Sequence, residues 1–160
     1  MYSIGDKVVY PMYGAGIIEA IEEQEFQGVV SKYYVMKMPM GDMKVMIPTL
    51  NAERIGIRDV IDGNEADKVL EEFANASVEC DLSWNKRYRE NMVKIKGGNI
   101  YEVARVVKML MTRDREKGLS TGEKKMLSSA KQILVSELVL AKNVTQNEIE
   151  SIFEAVFTAE

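Results

Sequence analysis

Histidine is absent from this 160-residue chain, cysteine and tryptophan occur once each, and proline occurs three times. Without histidine the chain lacks the usual general base, the Ser/His and Cys/His nucleophile pairs and the commonest zinc ligand, so triad and zinc chemistry are nearly excluded. A single cysteine rules out an intramolecular disulfide. No stretch of about 18 apolar residues could cross a bilayer, and the start MYSIGDKVVYP has no basic-then-apolar leader. A soluble cytoplasmic protein with no membrane partner is therefore expected. No paired carboxylate or lysine constellation stands out either, so the chain reads as a non-enzyme with no catalytic residue, metal, cofactor or small-molecule ligand.

What is present is a composition that folds, with 46% hydrophobic residues over a length sufficient for one domain or two small ones. The net charge of −4 is unevenly distributed, because residues 84–125 carry 12 Lys/Arg against 5 Asp/Glu while every other segment is acidic. A local excess of +7 can track phosphates, although a solvated helix face would look the same.

Two unlike halves follow one another. Up to about residue 55, KVVY, GIIEAIEEQEF, VVSKYYVMKM and MKVMIP are rich in β-branched and aromatic residues and are punctuated by Gly and Pro, as short strands are. Gly14 and Gly16 fall where a sharp bend or bulge is needed, EFQGVV and MPMGDM read as hairpin turns, and Pro11, Pro39 and Pro48 sit at strand edges or ends. A small antiparallel barrel is the expectation. Beyond residue 60 the period becomes helical and the caps are regular: a helix in DGNEADKVLEEFANA, one from Ser83 to Gly97, and three opened by the pairs Asn99/Glu102, Ser120/Glu123 and Thr145/Glu148. The run ILVSELVLA is apolar nearly all round, so the fourth of these five helices is expected at the centre. The fold class is thus α+β in two domains, residues 1–58 and an all-α five-helix domain over 59–160.

The stretch CDLSWNKRYRENMVKIKGG, residues 80–98, holds the lone cysteine, Cys80, and the lone tryptophan, Trp84. At 100° per residue, Trp84, Tyr88, Met92 and Ile95 share one stripe, with Arg87 and Lys94 on one flank and Arg89 and Lys96 on the other. Two readings of Trp84 stay open. It is either the first residue of a core stripe, or a wedge at a helix start, where an aromatic pushed between base steps and held by phosphate contacts stabilises distorted DNA. In DMKVMIP, Met43, Val45 and Ile47 alternate inward and leave Lys44 and Met46 outward, and Phe26 lies beside a turn where polar residues are usual. These outward residues suggest an edge that binds a partner.

GDKVVYPMYGAGII, RDV at 58–60, SWNKRYREN and RDREKGLSTGEKKMLSSAKQILVSELVLA closely resemble the CarD/CdnL family of bacterial transcription regulators, in order and over essentially the whole chain. The strand half alone also looks like the polymerase-interacting domain of transcription-repair coupling factors. The resemblance implies a Tudor-like barrel that docks on the RNA polymerase β subunit, followed by a helical domain that touches promoter DNA at the upstream edge of the melted bubble. It implies minor-groove contact through Trp84 and DNA contacts through Lys86, Arg89 and Lys124, and Arg87 joins this candidate set. At the polymerase face the candidates are Gln24, Phe26, Lys44 and Met46. Gln24 and Met46 stand where relatives carry arginines and Phe26 takes an aliphatic position, so either docking is more apolar here or the β subunit lacks the matching carboxylates. A different class of function is a Tudor-like reader whose tyrosines bind a modified side chain, with the helices for oligomerisation and no polymerase bound.

Overall fold

The computed structural model describes residues 1–77 and 83–158, so Cys80 and the side chain of Trp84 lie outside the described residues. Strands β1 (Lys7–Tyr10), β2 (Gly14–Phe26), β3 (Val29–Lys37) and β4 (Lys44–Pro48) lead through a single 3₁₀ turn and the short α1 (Ala52–Ile55) to β5 (Arg58–Asp59). Helices α2 (Gly63–Asn75), α3 (Trp84–Lys96), α4 (Ile100–Glu116), α5 (Thr121–Lys142) and α6 (Gln146–Thr158) follow. The architecture is α+β, with the strands first and five long helices after them, as expected.

The sheet is antiparallel in the order β4-β3-β2-β1-β5. It is open, with β4 and β5 at its edges, and this corrects the expected closed barrel. The reason is local: β5 offers only two residues to the ladder, Asp59 opposite Val8 and Arg58 opposite Val9, and both face β1. The EFQGVV turn forms as read. Gln27 (φ 52°) and Gly28 (φ 81°) are both left-handed, the geometry of a two-residue hairpin loop matched to strand twist, and Phe26 pairs with Val29 across it.

The helix starts are as legible in space as in sequence. The side chains of Asp62, Ser83, Asn99, Ser120 and Thr145 each accept a hydrogen bond from the amide three residues on, at 2.8, 3.5, 3.4, 3.2 and 3.2 Å. Helix α5 is the central element, and the whole run Ile133–Leu140 is buried. It is enclosed because the helical core surrounds it and Val9 and Ala15 of the sheet cover its Leu140. A large helical core gathers Phe73, Val107, Leu110, Leu134, Leu138 and Phe153, while a smaller one under the sheet gathers Val8, Ile18, Met36, Met38 and Ile47. Between them Val9 and Ala15 pack against Leu140. Gly14 (φ 117°) turns the β1–β2 hairpin hard against α5, where an added Cβ would lie 2.5 Å from the Ser136 hydroxyl and 3.2 Å from the Gln132 carbonyl oxygen.

Candidate functional site: a basic helix and an exposed strand face

Helix α3 carries the sequence signal at the middle of the chain. Its Ser83 cap fixes the first turn, and Lys94 and Lys96 in the last turn complement the negative end of the helix dipole. Lys86 and Arg89 are exposed and, with Glu90, Lys94 and Glu102, surround Val93, an apolar side chain 71% exposed in a shallow concavity. The buried side of α3 differs from the predicted stripe. Arg87, Asn91 and Ile95 are buried, whereas Tyr88 and Met92 are half-buried against the helical core.

Arg87 is therefore corrected from an exposed DNA contact to an interior residue, 5% exposed. Its Nε donates to Glu123 Oε2 at 3.2 Å, and Arg113 approaches the other oxygen of the same carboxylate at 3.8 Å. The physical cause is the Ser120/Glu123 cap of α5. It places a carboxylate inside the helical core, and the nearest cation of α3 turns inward to meet it. The pair braces α3 against the start of α5, which carries exposed Lys124. Lys124 opens onto a separate cleft with Met40, Leu127, Lys131 and Gln146, so the structure does not bring it into the concavity of Lys86 and Arg89.

On the sheet, register places Gln24, Phe26, Lys44 and Met46 on one face, together with Ala15, Val29, Val35 and Lys37. Gln24 and Met46 touch, Nε2 to Sδ at 3.6 Å, and Lys44 pairs with Glu19 at 2.9 Å. That bond to Glu19 raises the Lys44 ammonium above the ordinary lysine value. Phe26 is 75% exposed, and Val29 is exposed on the same face while Val30 is exposed on the opposite one, so the hairpin tip is apolar on both sides. Sequence reasoning singled out only Phe26. The signal for the valines was the turn itself, since a two-residue loop sets Val29 directly opposite Phe26. Met43, expected inward, is exposed, because it belongs to the β3–β4 turn and not to β4; its sulfur lies 3.8 Å from Gln132 Nε2. The outward set Lys44 and Met46 and the inward Ile47 stand as read.

The tyrosines form no open cage in the sheet. Tyr34 is buried with Tyr2 edge-on at 6.0 Å, and Tyr10 packs edge-on against Tyr13 at 4.8 Å. Among the described residues no cluster of His, Cys, Asp and Glu could hold a metal, and no helix is long and apolar enough to cross a membrane.

The strands come first and the helices after them, and two family profiles match the chain in the same order. The "CarD-like/TRCF RID domain" profile matches residues 2–61 and the "CarD, C-terminal domain" profile matches residues 68–154. The chain belongs to the CarD-like family. It is 45% identical over 151 residues, covering 94% of this chain and 99% of its relative, to the Bacillus subtilis (strain 168) protein named "Putative transcription factor YdeB".

Proposed function

We propose that the protein is a cytoplasmic transcription regulator that docks on the β subunit of RNA polymerase through the exposed face of its sheet and stabilises the open promoter complex through α3. The observation that carries this reading is the pairing, in one chain, of the polymerase-interacting family domain with an exposed basic helix that opens on a capped tryptophan. The docking set is Gln24, Phe26, Lys44 and Met46, and the DNA set is Trp84, Lys86, Arg89 and Lys124. Arg87 serves that set from behind, by bracing α3.

Docking turns a weak DNA contact into an intramolecular one, so little intrinsic affinity is needed. Net acidity then limits wandering onto bulk DNA, and the basic helix acts only where docking has aligned it. A wedge that fits the distorted upstream fork better than closed duplex shifts the equilibrium toward melted DNA; a difference of about 1.4 kcal/mol moves it about tenfold.

The test is the lifetime of a preformed open complex with and without the protein, beside co-purification with polymerase. Trp84→Ala is expected to shorten the lifetime while leaving polymerase binding and thermal melting near those of the parent. Met46→Asp is expected to weaken binding to a β-subunit fragment in calorimetry, since it brings a charge that docking must desolvate. A chain that neither co-purifies with polymerase nor changes the lifetime overturns the reading.

A further inference from the structure

The helix that joins the two halves holds a titratable group that neither interface uses. Glu137, toward the C-terminal end of α5, is fully buried. Its Oε1 accepts from Arg58 Nη2 at 2.7 Å, and its Oε2 accepts from Arg58 Nη1 at 2.6 Å and from the Ile61 amide at 3.1 Å. These donors come from β5 and the segment leading out of it, 79 and 76 positions away in the chain. The neighbouring α5 contacts have the same character. Ser136 Oγ accepts from the Ala15 amide at 2.8 Å, Lys7 Nζ donates to the Leu140 carbonyl at 3.2 Å, and Gln132 Nε2 donates to the Tyr13 carbonyl at 2.9 Å. Apolar packing across this joint centres on a small cluster of Val9, Ala15, Val60 and Leu140, with Met40 and Ile61 packed against the helical core beside it.

An apolar joint of that size tolerates sliding, whereas a bidentate guanidinium–carboxylate pair has one good geometry. Buried pairs of this kind add little stability over an apolar pair of the same shape, so what they contribute is direction. The sheet face that meets α5 at Ala15 is also the face that carries Gln24, Phe26, Lys44 and Met46 further along. The other end of α5 is tied to α3 by Glu123 and Arg87. A continuous rigid path therefore runs from the exposed strand face through Arg58, Glu137, α5, Glu123 and Arg87 to the basic helix.

We propose that Arg58 and Glu137 are positioning residues, whose pairing fixes the angle between the strand face and α3 so that both are presented by one rigid body. The functional side of this rests on the reading under Proposed function, and the angle itself is testable without it. Simultaneous engagement of polymerase and the fork requires that angle, because avidity is lost when geometry forbids the second contact.

The experiment uses the full chain with Cys80→Ser and spin labels at exposed Glu25 and Lys96, one in each half. The parent is expected to give one narrow inter-label distance. In the double variant Arg58→Met with Glu137→Leu, which removes both charges but also leaves the Ile61 amide without its acceptor, melting is expected at a modestly lower temperature and in a single transition, with a broadened distance distribution. Polymerase affinity and DNA salt dependence are expected to be unchanged, while the open-complex lifetime falls by roughly fivefold or more. Glu137→Gln keeps shape and the acceptor for Ile61, and is expected to broaden the distribution less; it decides the matter if the double variant does not fold. A distribution as narrow as the parent's in the variant that folds overturns the clamp, and a broad one with an unchanged lifetime overturns its functional role. If the parent itself neither binds polymerase nor prolongs the complex, the proposed function falls and takes the positioning role with it, whereas the distances still decide whether the pair sets the angle.

Discussion

Helix α5 buries two glutamates near its opposite ends, and they do different things. Glu123, in the first turn, meets Arg87 and Arg113, both from the helical half. Glu137, fourteen positions on, meets Arg58 and the Ile61 amide, both delivered from the strand side. The contrast is that the first ties α3 and α4 to the start of α5, while the second ties α5 to the strand side. They also differ in what their loss exposes. Arg87 has a side chain 6% exposed and cannot rehydrate in place, whereas Arg58 at 32% can turn toward water.

That difference predicts the largest effect. Glu123→Ala is expected to cost about 3–5 kcal/mol, because it leaves a buried guanidinium without that carboxylate. Glu137→Ala is expected to cost about 1–3 kcal/mol, chiefly through the Ile61 amide left without its acceptor. Urea denaturation of both variants measures the gap, and equal losses would erase the distinction between brace and clamp.

A second pair of residues bears on the joint. Gly14 and Gly28 both have positive φ, but only Gly14 faces α5, and nothing lies within 4 Å of a Cβ added at Gly28. Gly14→Ala is expected to cost about 2–5 kcal/mol from strain and crowding together. Gly28→Ala is expected to cost about 1–2 kcal/mol from strain alone. Chemical denaturation again reads both, and similar costs would mean that the hairpin packs loosely enough on α5 to admit a methyl group.

Smaller in stability, but specific to function, are charge reversals on the exposed residues Lys86, Arg89 and Lys124. Each is expected to lower DNA affinity and to reduce the logarithmic salt slope by about 0.9 for every phosphate no longer neutralised, with little change in sequence preference. Lys124, which opens onto a different cleft, separates a broad DNA path from one confined to the concavity on α3. An unaltered slope at Lys124 with a reduced slope at the other two selects the confined path.

The smallest effect concerns Lys108, whose ammonium donates to the carbonyls of Phe73 and Ala74 at 2.9 and 3.0 Å. Desolvation holds it below the ordinary lysine value. Between the lowered value and the ordinary one the unfolded chain binds the proton and the folded chain releases it, so folding gains stability as pH rises through that alkaline window. Melting temperatures over a pH series are expected to show the parent improving relative to Lys108→Met across that window. Parallel curves would remove burial as the dominant influence on this lysine.

The sequence by itself determined what is decided within a few residues. The five caps, the Gln27–Gly28 turn and the apolar run that centres α5 all depend on side chains reaching amides three positions away, on backbone φ, or on burial of a whole helix turn. It also carried the outward placement of Lys44 and Met46, since those positions alternate with the period of their strand. The tertiary structure decided what depends on partners far along the chain. The side of α3 that turns inward was set by a carboxylate 36 positions away, and so Arg87 went into the core where helical spacing alone had placed it on a basic flank. The sheet stayed open because β5 is only two residues long, which alternation cannot reveal. The joint at Glu137 was invisible in sequence for the same reason: a buried ion pair has no local pattern, and only folding brings Arg58 to it across 79 positions.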